Sequence, residues 1–159
     1  MNLKTETIEA IEQIIPRYPE KRSAMMMVLL AILEDQGFIS DEALEWVAQK
    51  LEVAPVEVEG IITFYPMFRR KPLARHHVKV CRTLSCAMRG SHAVHDVLKE
   101  KLGCQCGQSA DGEFEVEYVE CMAACGSAPV VMVNDELYEN ITPENAEAFA
   151  EKLKAQAKQ

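Results

Sequence analysis

Residues 77–103 read HVKVCRTLSCAMRGSHAVHDVLKEKLG, and residues 114–138 read FEVEYVECMAACGSAPVVMVNDELY. HVKVC alternates apolar and polar positions over a short span, which predicts a strand. From Ser85 to Leu102 the apolar residues Met88, Ala93, Val94, Val97 and Leu98 recur at helical spacing, and Lys101 and Gly103 are stop signals. Asp111-Gly112 is a turn dipeptide, and FEVEYVE alternates as a half-buried strand. PVVMVND is nearly continuously apolar, and ELY can pair with it after the Asn134-Asp135 turn. Thr142, with Glu144 and Glu147 behind it, starts a last helix expected to run to about Ala155. Strand, helix, three strands and a closing helix make a small α/β sheet with helices packed on it.

Upstream the pattern is helical. Ile8, Ile11, Ile14 and Ile15 share a helix face until Pro16 and Pro19 break it. Ser23 to Gln36 is a second helix, ended by Gly37. Ser40 caps a third, SDEALEWVAQKL, with acids in its first turn and Leu44, Val47, Ala48 and Leu51 on its apolar face. Pro55 opens a fourth, PVEVEGIITFYPMF, because its fixed φ suits a first helical turn; Pro66 ends it. Four helices with short connections predict a small bundle. The basic stretch RRKPLARH, residues 69–76, is the natural linker and a candidate contact for an acidic partner. The expected organisation is a helical domain over residues 1–72 and an α/β domain over 73–159.

The chain of 159 residues is 48% hydrophobic and 26% charged, with a net charge of −8. That composition is globular, and it lacks the basic surface that nucleic-acid binding needs. The longest apolar run, Ala24 to Leu33, is half the roughly 20 residues a spanning helix requires. No secretory signal is visible at the start. The expected location is the cytoplasm or the inner side of a membrane, reached through partners, with no direct membrane insertion.

Six cysteines are then the unusual feature. Cytosolic thiols are kept reduced, so metal binding or redox chemistry explains them better than a disulfide framework. They fall as C-x4-C at Cys81 and Cys86, C-x-C at Cys104 and Cys106, and C-x3-C at Cys121 and Cys125. The first pair begins where a strand gives way to a helix. The last lies between two strands, in the small-residue loop CMAACGSAP. Two such loops can face each other at one end of a sheet. A [2Fe–2S] cluster with four thiolates is anionic and becomes more so on reduction. It needs backbone N–H groups aimed at sulfur, little crowding and nearby positive charge. Ala87, Ala123, Ala124, Gly126 and Ser127 allow close backbone approach, and Arg82 and Arg89 are cations close in sequence. Cys86 near a helix N-terminus gains from the unpaired N–H groups there. On spacing alone a cluster, a structural zinc ion in an interaction module, and a redox dithiol all stay open.

RYPEKRSAMMMVLLAILEDQGFIS, VAPVEVEGIITFYPMF, VCRTLSCAMRGS and VECMAACGSAPVVMVND together span most of residues 15–135. In these stretches the chain resembles the thioredoxin-like [2Fe–2S] subunits of NADH:quinone oxidoreductase, respiratory complex I. The same module serves NAD-linked hydrogenases and formate dehydrogenases. The resemblance implies an N-terminal helical bundle followed by a thioredoxin-like α/β ferredoxin domain. It puts the four cluster ligands at Cys81, Cys86, Cys121 and Cys125. It also implies one-electron exchange with the flavin of a partner subunit, which would carry FMN and the NADH site, alongside further iron–sulfur subunits. No G-x-G-x-x-G or P-loop opposes that division of labour.

Cys104 and Cys106 fall outside this ligand pattern and read as free thiols in a loop, with ligand exchange or a regulatory disulfide left open. His92 and His95 share a helix face and read as an exposed or partly packed pair. His76 and His77 could tune the cluster or relay protons from the start of their strand. Met25, Met26 and Met27 read as core filling, and Phe64, Tyr65 and Phe68 as core or partner contacts. A cis bond before Pro129 would echo thioredoxin-like folds, but only about 6% of X–Pro bonds are cis, so a trans bond is expected there.

Overall fold

The computed structural model describes residues 3–104 and 107–157. The chain divides into two compact units, one ending at Leu73 and the other beginning at Ala74.

The first unit holds α1 (Thr5–Ile14), α2 (Met25–Gln36), α3 (Asp41–Leu51) and α4 (Pro55–Phe64), each packed on the next in sequence. Their apolar faces close over Ile11, Val28, Leu29, Ile32, Val47, Leu51, Val58 and Ile62. Local signals set the ends. Gly37 takes φ +76°, a backbone conformation that suits glycine, and its N–H closes α2 on the Leu33 carbonyl at 2.7 Å. The Ser40 hydroxyl accepts the Ala43 N–H at 3.1 Å. The Asp35 carboxylate, almost wholly buried on α2, accepts the Lys4 N–H at 2.9 Å and so caps α1 from a neighbouring helix. Residues 21–24 form a 3₁₀ turn, so α2 starts two residues later than the periodicity predicts. Arg69 and Arg70, expected in a linker, are tied into this unit: the Arg69 carbonyl accepts the Ile39 N–H at 2.7 Å, and Arg70 pairs with Asp41 and Glu59.

The second unit is a four-stranded mixed sheet in the order β2-β1-β3-β4, built from β1 (His76–Cys81), β2 (Phe114–Val119), β3 (Val131–Val133) and β4 (Glu136–Tyr138). β1 runs parallel to β2, with Cys81 opposite Val119, and antiparallel to β3, with Val80 opposite Val131. β4 returns antiparallel to β3 through the turn at Asn134. Three helices follow the strands: the short α5 (Leu84–Met88), then α6 (Ser91–Lys101) and α7 (Ala146–Ala157). α6 and α7 pack on each other, and Val94, Leu98, Phe149 and Leu153 join Val78, Val80 and Val131 in one core. The unit is the expected thioredoxin-like α/β arrangement.

Three details depart from the sequence reading. The single helix expected from Ser85 to Leu102 is two, α5 and α6, divided at Gly90. Gly90 takes φ +92°, and a Cβ there would lie 2.7 Å from the Pro143 ring; periodicity carries no trace of that contact. The last helix begins at Ala146, because a turn on the Thr142 carbonyl precedes it. The Ala128-Pro129 peptide is cis.

Candidate metal centre

The sheet topology brings the two outer cysteine pairs to one end. β1 and β2 are parallel and in register, so the segments after Cys81 and after Val119 leave the same edge. β3 is antiparallel to β1, so the segment leading into Val131 arrives at that edge as well. Cys81 closes β1, and Cys86 lies within α5. Cys121 follows β2, and Cys125 opens the 3₁₀ turn Cys125–Ser127. Cys81 and Cys86 are buried with Ala128 and Val130 in a small apolar cluster, against which Met122 and Ala124 pack. Cys121 and Cys125 are exposed.

Each loop turns hydrogen-bonding groups toward its own sulfurs. The Thr83 hydroxyl lies 3.2 Å from the Cys81 sulfur. Burial pushes the Cys81 thiol up. Bonds from the Thr83 hydroxyl and N–H, from the Met122 N–H and from the Cys86 thiol outweigh it, leaving Cys81 below the ordinary thiol value. Cys86 goes the other way: burial raises it, the Val130 N–H opposes, and Cys81 and Cys125 raise it further. The Ala123 N–H reaches the Cys121 sulfur at 3.3 Å, with Ala123 itself held at φ +60°. A non-glycine residue in that region marks a constrained loop.

Among the described residues, no group of three or more His, Cys, Asp or Glu side chains is placed to hold a single metal ion. The four cysteines come two from each loop. A [2Fe–2S] cluster accepts that division, since each iron takes two thiolates and shares the two sulfides. Donors to sulfur, a buried inner side and an exposed outer edge fit an anionic cluster.

The arginines differ in their roles. Arg82 donates to the Glu120 carboxylate at 2.8 Å, which joins the residues just beyond the two strand ends and neutralises that cation locally. Arg89 donates to the Ala128 carbonyl at 3.2 Å, beside the buried cysteines. His76 and His77 lie at the far end of β1, about 13–17 Å along the strand from Cys81. His77 bonds Glu117 at 2.8 Å, and His76 stacks on Phe114. That placement removes them from the cysteine site. His95, expected exposed or partly packed, is 6% exposed and stacks on Tyr118 with centroids 3.6 Å apart; the nearby His92 bonds the Tyr118 hydroxyl at 3.2 Å.

Cys104 is a free thiol in the segment after α6, as expected, and is also buried in the core, where its thiol donates to the Phe114 carbonyl. Cys106 lies outside the described residues. Phe68 is buried whereas Phe64 is 75% exposed. Thr83 and Glu120 are the site residues that sequence reasoning missed. For Thr83 a signal existed, a hydroxyl residue just before a helix, but it reads as an ordinary cap.

A family model for thioredoxin-like [2Fe–2S] ferredoxins matches residues 11–154. The chain is 39% identical over 153 residues to an NADH-quinone oxidoreductase subunit of Rickettsia bellii, covering 94% of this chain and 92% of that protein. It is 37% identical over 149 residues to an NADH-quinone oxidoreductase subunit of Thermus thermophilus, covering 91% and 82%. Among solved structures, an NAD+-reducing [NiFe]-hydrogenase in its air-oxidised state superposes with a TM-score of 0.63 at 24% identity. The match covers 80% of this chain but only 23% of the hydrogenase chain, and it speaks to fold alone.

Proposed function

This chain belongs to the family of thioredoxin-like [2Fe–2S] ferredoxins, and on that premise we propose that Cys81, Cys86, Cys121 and Cys125 hold its cluster in a one-electron carrier subunit of NADH:quinone oxidoreductase. The observation that carries the ligand assignment is the packing of Met122 and Ala124, from the second cysteine loop, against the buried Cys81 and Cys86 of the first. When bound, the cluster supplies reversible one-electron storage. The chain's own residues hold it. Cys81 and Cys86 anchor its buried side, and Cys121 and Cys125 hold the side nearest solvent. The Met122, Val130 and Ala123 N–H groups direct positive dipoles at the sulfurs.

The electron donor we assign is the flavin of a partner subunit that also binds NADH, with other iron–sulfur subunits in the same assembly. This chain then performs electron transfer only. Leu84 and Met88, 75% and 80% exposed at i and i+4 on α5, flank Cys86 and give such a partner an apolar rim to cover. No described helix is long and apolar enough to cross a membrane. The likeness to NADH-quinone oxidoreductase subunits supports a peripheral place on the inner membrane face, held through the complex. The same division of labour would serve an NAD-linked hydrogenase, and copurifying subunits distinguish the two hosts.

The test is anaerobic purification with iron and sulfide analysis. The expected product is red-brown, carries two irons and two sulfides per chain, and gives a rhombic paramagnetic signal on reduction. A colourless chain with intact thiols, no iron and no capacity to take up iron and sulfide would refute the proposal, as would stoichiometric zinc.

A further inference from the structure

Thr83 occupies the N-cap position of α5, with extended backbone angles of φ −75° and ψ 166°. A threonine there ordinarily turns its hydroxyl back to accept an N–H of the first helical turn. Here the hydroxyl makes no capping bond. It lies instead 3.2 Å from the Cys81 sulfur. The cap at Ser40 does the ordinary thing, so the departure belongs to this site. A free thiol and a hydroxyl can each donate to the other. A metal-bound thiolate has no proton, so once Cys81 is a ligand only the hydroxyl can donate.

We propose that Thr83 is a positioning residue that sets the reduction potential of the cluster by donating its hydroxyl proton to the Cys81 sulfur. The inference rests on the ligand assignment made above. Adding an electron increases the negative charge shared over the sulfurs, and a charge-assisted hydrogen bond strengthens as its acceptor becomes more negative. The hydroxyl therefore favours the reduced form over the oxidised one, and removing it makes reduction harder. Of the hydrogen bonds described to the four sulfurs, the Thr83 hydroxyl is a side-chain partner and the Ala123 N–H a backbone one. That makes it the position where substitution changes a donor without touching the chain's path.

The experiment compares the full wild-type chain with Thr83→Val, Thr83→Ala and Thr83→Ser, each purified anaerobically. Iron and sulfide content is measured first, and then the midpoint potential by a paramagnetic-resonance redox titration. Thr83→Val and Thr83→Ala are expected to keep the cluster but to hold about fivefold less reduced than oxidised cluster at the wild-type midpoint, a shift to more negative potential. Thr83→Ser is expected to restore the wild-type value. Unchanged or more positive midpoints in both hydroxyl-less variants would overturn the proposal. So would a serine variant that fails to restore the value, or loss of the cluster in both hydroxyl-less variants while serine keeps it, since the hydroxyl would then serve assembly. A wild-type chain that carries no cluster would refute the ligand assignment instead.

Discussion

Each cysteine's surroundings give it a different part. Cys104 is fully buried, burial raises its thiol, and its proton goes to the Phe114 carbonyl; that is a packed core residue. Replacing Cys104 with alanine is expected to leave iron and sulfide content unchanged and to cost about 1–2 kcal/mol of stability in denaturant melts. His95 makes a second residue-scale test. Burial holds its imidazole below the ordinary value of 6.5, against the opposing pull of Asp96, while Lys99 and His92 push the same way as burial. The folded chain thus takes up that proton less readily than the unfolded chain. The stability this confers is complete above the ordinary histidine value and is lost as pH falls below it through the lower folded value. His95→Phe keeps a ring against Tyr118 and cannot protonate. Between about pH 7.5 and about pH 5.5 its urea midpoint should fall less than that of wild type. Equal slopes would show that His95 is not the group responsible.

Elements were legible in the sequence wherever a local signal sets them. Ser40, Gly37 and Pro55 stand where a cap, a stop and a first turn need them, and the structure uses them so. The alternation in HVKVC and FEVEYVE gave both strands of the parallel pair. What remained illegible depends on residues distant in sequence. The division between α5 and α6 comes from Pro143 seated against Gly90. The Arg82–Glu120 pair exists because parallel register sets the two strand ends side by side. His95, on α6, is buried because Tyr118, on β2, supplies the surface it stacks on. Gly90→Ala tests the helix division: it adds a Cβ at a positive φ and against the proline ring. A loss of about 1–3 kcal/mol in denaturant melts is expected, and an unchanged midpoint would contradict it.

At the scale of the molecule, the two units are built by different means. The helical unit is assembled from neighbours in sequence, so its order could be read directly. The α/β unit depends on β1, which lies between a parallel and an antiparallel partner and so gathers three loop ends at one edge. The cysteine spacing showed which residues to watch; the topology supplies the reason why two loops separated by a helix and a strand meet. The most direct test is crystallography of the anaerobically purified chain with anomalous data at the iron edge. Two adjacent iron peaks are expected, bridged by sulfide, one side bonded to Cys81 and Cys86 and the other to Cys121 and Cys125. A single metal peak, or irons bonded to any other side chain in place of one of these four, would contradict it.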